Sequence, residues 1–247
     1  MASPTPQRPF LTARWEHLLL LNYEVDAALL QPLVPAGTEL DPLGGRHLVS
    51  LVGFRFVDTR LRGLPIPWHR DFEEVNLRFY VRRRGPDGAW RRAVTFVREL
   101  VPRWAIATVA RSLYNEPYLA VPMWHRLAVD AAEGGTVRYG WRFRGESFTM
   151  EATVTGPAQP FAVDSEAELI TEHYWGYTRQ RDGGTLEYQV EHPAWQVWDA
   201  AATFSGAAAL LYGPAFGEVL SGRASSAILA EGSPVAVYPG VRLDLAA

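Results

Sequence analysis

Apolar and polar residues alternate along much of this chain, as they do in β-strands that bury one face. The clearest case is residues 73–82, whose apolar face carries Val75, Leu77, Phe79 and Val81. The opposite face carries Glu74, Asn76, Arg78, Tyr80 and Arg82. Because the turn-forming residues Gly85–Pro86–Asp87–Gly88 follow, we predict a hairpin that pairs this strand with residues 92–100.

Glu74, Asn76 and Arg78 are the members of the polar face with the most evident chemistry. Neighbours on one face of a strand lie roughly 7 Å apart, so the three side chains form a row. If that face lines a concavity, the row is suited to orient a small anion or a carbonyl compound. If the face is exposed to water, as the outer face of an antiparallel sheet commonly is, the row has no such role. The alternation alone leaves both alternatives open.

The same pattern predicts a β-rich chain with a few short helices. Single strands are predicted over residues 15–25, 46–57 and 234–243, and two more hairpins pair 137–143 with 148–154 and 173–180 with 185–192. Helices are predicted after the N-cap Asp26, from Pro102 onward, after the capping box Ser165–Glu168 and, broken at Gly213–Pro214, over residues 200–222. Residues 1–9 are predicted to be a flexible tail. No linker divides residues 10–247, which we predict to form a single domain.

Three further residues are candidates for a site, each with a structural alternative. Arg111 lies near the C-terminal end of the helix that starts near Pro102, where a cation either binds an anion or interacts with the helix dipole. Tyr118 follows Pro117 in an extended segment, as a catalytic phenol or as a packing aromatic. His192 shares the apolar face of its strand, where a neutral, hydrogen-bonded core histidine is the common case.

Composition and charge exclude several partners. The 247 residues carry a formal net charge of −3, which gives no attraction to nucleic acid or to an anionic membrane surface. No apolar run approaches the ~18 residues that span a bilayer, and the first residues lack the apolar region of a signal peptide. We therefore expect a cytoplasmic protein with no nucleic-acid and no membrane partner. A homo-oligomer is compatible with the sequence, which does not determine it.

Missing residue types exclude whole classes of chemistry. The chain has no Cys, so disulfides, zinc thiolates, iron–sulfur clusters and thiol nucleophiles are excluded. It has no Lys, so its 24 Lys and Arg residues are all Arg, and a Schiff-base amine or a phosphate-loop lysine is excluded as well. Six histidines are scattered without metal-binding spacing, and no nucleotide-binding loop or nucleophile elbow occurs. We predict neither a metal nor a cofactor.

An ordered set of short segments resembles a known family. The set comprises Trp15 with Leu33–Val34–Pro35, the strand Phe72–Val81, Ala110–Arg111 with Pro117–Tyr118, and His192–Pro193–Ala194–Trp195. It resembles the YqjF-like family of uncharacterised bacterial proteins, which is similar in fold to acetoacetate decarboxylase. The resemblance implies an α+β, mainly β domain in which strongly curved, mostly antiparallel sheets form a barrel-like cone, with a few peripheral helices and a ligand cavity inside.

The same resemblance separates this chain from the decarboxylase reaction. In the decarboxylase, a segment resembling residues 110–120 carries two lysines, of which the first forms a Schiff base with the substrate and the second lowers its pKa. Matching the two segments places Tyr118 and Leu119 at those positions. The resemblance therefore implies the fold without imine chemistry. It also matches Glu74 to a cavity glutamate of the superfamily, with Glu73 as a competing match.

Two functional hypotheses follow. In the first, the cavity binds a small carboxylate or carbonyl metabolite, and the ligand contacts are Asn76, Arg78 and Arg111. In the second, an enzyme of the lyase, hydratase or hydrolase type acts on such a compound without covalent catalysis. Its general acid or base is then Glu74, and the donors to a developing oxyanion are Tyr118 or His192. We favour binding of a small-molecule ligand, with catalysis as the alternative.

Overall fold

The computed structural model describes residues 8–104, 115, 117–163 and 165–244, which fold mainly into two β-sheets. The larger sheet has thirteen strands: β1 (Leu11–Val25), β2 (Glu39–Leu40), β3 (His47–Leu61), β4 (Leu64–Pro65), β5 (Phe72–Arg84), β6 (Trp90–Val101), β7 (Tyr118–Ala120), β11 (Gln159–Pro160), β12 (Trp175–Arg179), β13 (Thr185–Glu191), β14 (Gln196–Asp199), β16 (Ser226–Val237) and β17 (Val241–Arg242). The smaller sheet has four: β8 (Met123–Asp130), β9 (Gly134–Phe143), β10 (Glu146–Thr155) and β15 (Ala201–Ser205). Short helices connect them: α1 (Ala27–Leu30) with a 3₁₀ turn (Gln31–Leu33), α2 (Glu166–Thr171), α3 (Ala209–Tyr212) and α4 (Pro214–Ser221).

The larger sheet closes into a ring. Its main strands are ordered β16-β1-β3-β5-β6-β12-β13, and β13 pairs again with β16, so the sheet returns on itself. The pairs within the ring are antiparallel except β6 with β12, which is parallel. The prediction of a mainly β, barrel-like fold with few helices is confirmed, although this mixed ring is not a strict barrel.

Strand β5 separates the interior of the ring from a second core outside it. Its apolar face, with Val75 and Leu77 fully buried, belongs to the core that also contains Tyr139 of the smaller sheet. Its other face is buried as well, because Glu74 and Asn76 are each only 3% exposed. The alternative that this polar face meets water is therefore wrong, and the row of polar groups points into the ring.

The smaller sheet packs closely against the outside of the ring. A Cβ atom added to Gly53 of β3 would lie 2.9 Å from Cδ2 of Tyr139 on β9, so the two sheets approach as closely as glycine allows. The phenol of Tyr139 also donates a 2.8 Å hydrogen bond to the carbonyl oxygen of His17 on β1. Tyr139 thus joins the smaller sheet to the outer face of β1 and β3.

Local sequence signals predicted most elements correctly. Asp26 caps α1 by accepting a 2.8 Å hydrogen bond from the amide of Ala28, and Ser165 caps α2 by accepting from the amide of Glu168. All three predicted hairpins form, as β5–β6, β9–β10 and β12–β13. The helix predicted over residues 200–222 is broken at Gly213 as expected.

Two predicted elements were wrong in extent. Residues 201–205 form strand β15 rather than helix, because they pair with β10 at the edge of the smaller sheet and this pairing overrides the helix propensity of alanine. The last long strand begins at Ser226, well before the predicted start at residue 234, because its first half pairs with β1.

Some predictions fall outside the described residues. These are the body of the helix that starts near Pro102, with Arg111, and most of the tail predicted over residues 1–9. In the described ranges, no helix is both long and apolar enough to cross a membrane.

Candidate functional site

A cavity of about 340 Å³ occupies the interior of the ring. Strands β1, β3, β5, β6, β12, β13 and β16 all contribute lining residues, and most of these residues are apolar or aromatic. A smaller number of lining residues are polar, and they are concentrated on β5 and the segments beside it: Glu74, Asn76, Arg78, Glu99, Tyr118, Thr171, His173 and His192. An apolar cavity with a few convergent polar groups is the usual form of a small-molecule site.

Strand pairing explains why the β5 row enters this cavity. In the β3–β5 register Glu74 lies opposite Phe54, and Asn76 lies opposite Val52, and all four residues line the cavity. A register shift in the β5–β6 pair falls between Leu77 and Arg78. Such bulges re-aim the side chains beside them, and they are common next to functional sites.

Glu74, rather than Glu73, is the glutamate that lines the cavity. Glu73 points to the opposite face, where its Oε1 lies 2.6 Å from Nδ1 of His125 on the smaller sheet. Strand parity therefore directs Glu74 into the cavity and Glu73 away from it.

The carboxyl group of Glu74 is buried but fully hydrogen-bonded. Asn76 donates from Nδ2 to Oε1 at 3.1 Å, and the phenol of Tyr118 donates to Oε2 at 3.0 Å. Burial raises the pKa of Glu74 to about 7, against the opposing effects of these two hydrogen bonds and of the Arg78 charge. Near neutral pH the group therefore exists in both protonation states, which is what a general acid or base requires.

Arg78 is the cationic residue among the described residues that line the cavity. Its Nη2 donates to the carbonyl oxygen of Ile170 at 3.2 Å, and its guanidinium carbon lies 5.8 Å from the centroid of the Tyr80 ring. No carboxylate in the described residues lies within ion-pair distance of it, although its charge acts on the carboxyl group of Glu74 in the same cavity. Its buried Nε has no hydrogen-bond partner among these residues. The described residues thus leave this positive charge without a direct ion pair.

Two histidines lie near this charge. Nδ1 of His173 is 3.3 Å from the carbonyl oxygen of Ile170, and Nδ1 of His192 is 3.0 Å from that of Pro193. Because a carbonyl only accepts, both bonds assign the proton to Nδ1 and leave Nε2 as an acceptor. Burial lowers the pKa of both rings, and the charge of Arg78 lowers it further, so both imidazoles are neutral near pH 7.

Five of the six predicted site residues therefore line one cavity, namely Glu74, Asn76, Arg78, Tyr118 and His192. The sixth, Arg111, lies outside the described residues. Their proposed roles remain predictions. Among the described residues, no group of three or more His, Asp or Glu side chains is arranged to hold a metal ion.

The sequence did not identify several polar residues of the cavity, among them Glu99 and His173. Glu99 is the cross-strand partner of Asn76 only because of the register shift between Leu77 and Arg78. Counted from the turn without that shift, the hairpin would place Arg98 opposite Asn76, so no local signal identifies Glu99. His173 has no local signal either, because its position depends on the parallel pairing of β12 with β6, which no local turn specifies.

Comparison with known proteins agrees with this architecture. The family model DUF2071, described as an uncharacterized conserved protein, matches residues 12–234. The uncharacterized protein YqjF of Bacillus subtilis is 29% identical over 195 residues, which are 77% of this chain and 76% of that protein.

Solved structures show the same fold at low identity. Acetoacetate decarboxylase from Legionella pneumophila superposes with a TM-score of 0.66 at 15% identity, covering 99% of this chain and 92% of that one. The enduracididine biosynthesis enzyme MppR, in complex with pyruvate, gives a TM-score of 0.64 at 11% identity, covering 98% and 93%. The chain belongs to the DUF2071 family and has an acetoacetate decarboxylase-like fold.

Proposed function

We propose that this protein binds a small carboxylate or carbonyl metabolite inside the ring of strands. The observation that carries the proposal is Arg78, a cation that lines a mostly apolar cavity and has no carboxylate partner among the described residues. A charge in such a place is costly unless it meets an opposite charge or several hydrogen bonds. The carboxylate of a ligand would supply both, because it can accept two parallel bonds from a guanidinium group.

Two further observations support an acid with a carbonyl group. Asn76 and Glu74 extend the polar row beyond Arg78, so a ligand held at Arg78 would have polar partners for a second oxygen. In addition, MppR shares the fold, and it has been crystallised with pyruvate, a 2-oxo acid. That likeness concerns the fold, so it supports the ligand class without identifying the ligand.

The proposal excludes the reaction by which acetoacetate decarboxylase works. Imine formation with a ketone needs a primary amine on the protein, and this chain contains no lysine. Tyr118 and Leu119 stand where the resemblance places the two lysines. Any chemistry on the ligand must therefore proceed without a lysine imine.

Acid–base catalysis is the second candidate function, favoured by the pairing of Glu74 with Tyr118. A carboxyl group with a pKa of about 7 can take a proton from carbon beside a carbonyl and return it. Once Glu74 holds that proton, the O–H of Tyr118, which donates to the carboxylate in this structure, can turn to donate to the enolate oxygen. His192 is less suited to that donor role, because its proton is assigned to Nδ1, which is bonded to Pro193. Many lyase and hydratase reactions of carbonyl acids use this step, whereas in a hydrolase Glu74 would instead take a proton from the attacking water.

A thermal-shift screen of the full chain against carboxylates, 2-oxo acids and β-keto acids tests the binding proposal. A ligand at 100 times its Kd adds about 2.7 kcal/mol of stability, which raises the Tm by roughly 5–10 °C for a chain of this size. We expect the shift in wild type and in the control Arg142→Ala, which alters an exposed arginine of the smaller sheet, and no shift in Arg78→Ala. No shift with any compound, or the same shift in Arg78→Ala, would overturn the proposal.

Deuterium exchange separates the two candidate functions. In D₂O, an enzyme that removes a proton beside the carbonyl exchanges the methyl hydrogens of pyruvate, which proton NMR detects as loss of signal. Catalysis predicts exchange well above buffer in wild type and buffer-level exchange in Glu74→Gln. Exchange at the buffer rate in wild type, despite a thermal shift, would leave binding as the function.

A further inference from the structure

Aromatic rings form a continuous wall along one side of the cavity. The members of this aromatic wall, all of which line the cavity, are His192, Trp195, Trp15, Phe54, Phe56 and Phe72. His192 stacks on Trp195 with centroids 4.3 Å apart, and Trp195 meets Trp15 at 6.3 Å. Trp15 meets Phe54 edge-on at 5.4 Å, and Phe56 stacks on Phe72 at 4.6 Å. The wall offers a ligand both ring faces and ring edges.

Strand register places this wall beyond the polar row. Phe54 lies opposite Glu74. Phe56 lies opposite Phe72, which is two residues farther from Arg78 along β5 than Glu74 is. At about 3.3 Å per residue, Glu74 and its partner Phe54 are roughly 13 Å from Arg78 along the strand, and Phe72 is roughly 20 Å away. The long side chain of Arg78 can cover part of the shorter distance. A ligand whose acid group meets Arg78 therefore needs a body of several atoms to reach Phe54, whereas Phe56 and Phe72 lie beyond such a ligand.

The cavity is also larger than a three-carbon acid requires. Its volume of about 340 Å³ corresponds to roughly eleven molecules of liquid water, at about 30 Å³ each. If each heavy atom of a ligand takes the volume of one water molecule, the heavy atoms of pyruvate fill about half of the cavity. The remaining volume is the part bounded by aromatic rings, which makes few hydrogen bonds and is suited to an apolar group.

We propose that the ligand is a carboxylate with an aromatic body, in which the acid group meets Arg78 and the aryl ring packs on the aromatic wall at Phe54. This inference rests on the proposed function, because it keeps Arg78 as the anion contact. It adds an aryl group to the ligand, and we expect that group to determine which carboxylates bind. Ring–ring contacts prefer the offset-stacked and edge-to-face geometries that the wall already contains, so an aryl group continues the existing packing.

Calorimetric titration of the full chain with pyruvate and with phenylpyruvate tests the inference. The two probes share the 2-oxo acid group and differ in the aryl ring. We expect phenylpyruvate to bind at least ~10-fold more tightly, which is about 1.4 kcal/mol. Phe54→Leu should weaken phenylpyruvate binding at least ~3-fold and leave pyruvate unchanged. Phe143→Leu, in the smaller sheet and away from the cavity lining, is the matched control and should change neither.

The outcomes distinguish this inference from the function on which it rests. Equal affinities for the two probes, or an equal loss for both in Phe54→Leu, would overturn the aromatic body and leave carboxylate binding intact. Unchanged phenylpyruvate binding in Arg78→Ala, or no binding of either probe, would overturn both. If Phe54→Leu does not fold, Trp15→Leu gives the same test, because Trp15 meets Phe54 edge-on in the wall.

Discussion

Tyr118 donates a 3.0 Å hydrogen bond to Oε2 of Glu74, although the two residues are 44 positions apart in the sequence. The contact exists because β7 pairs in parallel with β6, which sets Tyr118 beside Glu99 and across from the middle of β5. A buried carboxyl group and a phenol are thus held together at the wall of the cavity. The pKa of Glu74, and the effect of Tyr118 on it, can be measured without a ligand.

The first prediction concerns the pH dependence of stability. Burial raises the pKa of Glu74 from 4.5 in the unfolded chain to about 7 in the folded one. Between these values the folded state binds more protons than the unfolded state, so the free energy of unfolding falls as pH rises through this window. The contribution of Glu74 to that fall is about 3 kcal/mol. Glu74→Gln should abolish it, as measured by urea unfolding at pH 5 and pH 8.

Glu151→Gln is the matched control for this measurement. Glu151 is a half-exposed partner of Arg138 on the smaller sheet, so its loss should leave the difference between pH 5 and pH 8 as it is in wild type. If Glu74→Gln keeps the full wild-type difference, the raised pKa of Glu74 is refuted.

The second prediction concerns Tyr118→Phe. The hydrogen bond from this phenol favours the charged carboxylate, so its removal should raise the pKa of Glu74 above about 7. The fall in stability should then extend to higher pH, which the same unfolding series detects. Tyr238→Phe, which removes an exposed phenol bonded to Glu191, should leave the pH range of this fall unchanged. An unchanged or lower pKa of Glu74 would show that Tyr118 does not act on the carboxylate.

The third prediction concerns the two histidines of the cavity. The charge of Arg78 lowers the pKa of both His173 and His192, in addition to the larger effect of burial. Arg78→Gln should therefore raise both pKa values, which NMR titration of the imidazole Cε1 protons measures. Arg144→Gln, at the exposed turn between β9 and β10, serves as control. Histidine pKa values that do not change in Arg78→Gln would place the guanidinium charge away from the rings.

The fourth prediction concerns the contact between the two sheets. A methyl group on Gly53 would lie 2.9 Å from the Tyr139 ring, so Gly53→Ala should lower the free energy of unfolding by about 1–3 kcal/mol. A double-mutant cycle with Tyr139→Leu isolates the contact, because the smaller partner makes room for the methyl group. Strictly additive losses in the cycle would mean that the two side chains do not touch.

Strand parity and turn chemistry were enough to predict which residues of β5 share the face that lines the cavity. Alternation assigned Glu74, Asn76 and Arg78 to one face, and the turn at Gly85–Gly88 fixed the hairpin beside it. Alternation could not show whether that face was exposed to solvent or buried. In this closed ring, one face of β5 packs against the outer core and the other lines the cavity. The burial of Glu74 follows from the closure of the ring, which is a long-range property.

What the sequence did not predict depends on pairing between distant segments. The contact of β13 with β16 closes the ring, and the parallel contact of β12 with β6 brings His173 to the cavity, yet no turn or cap encodes either. Residues 201–205 became a strand for the same reason, because the edge of β10 was free to pair with them. Local patterns specify elements and their faces, whereas the enclosed cavity results from how the elements pair.

Binding of a ligand's acid group by Arg78 inside the ring can be observed in a crystal structure of the protein grown with phenylpyruvate. We expect density inside the ring, with a carboxylate oxygen within hydrogen-bond distance of the Arg78 guanidinium group and the aryl ring against Phe54. Phenylpyruvate bound outside the ring, or bound inside it with Arg78 still bonded only to the carbonyl of Ile170, would show that Arg78 does not receive the acid group.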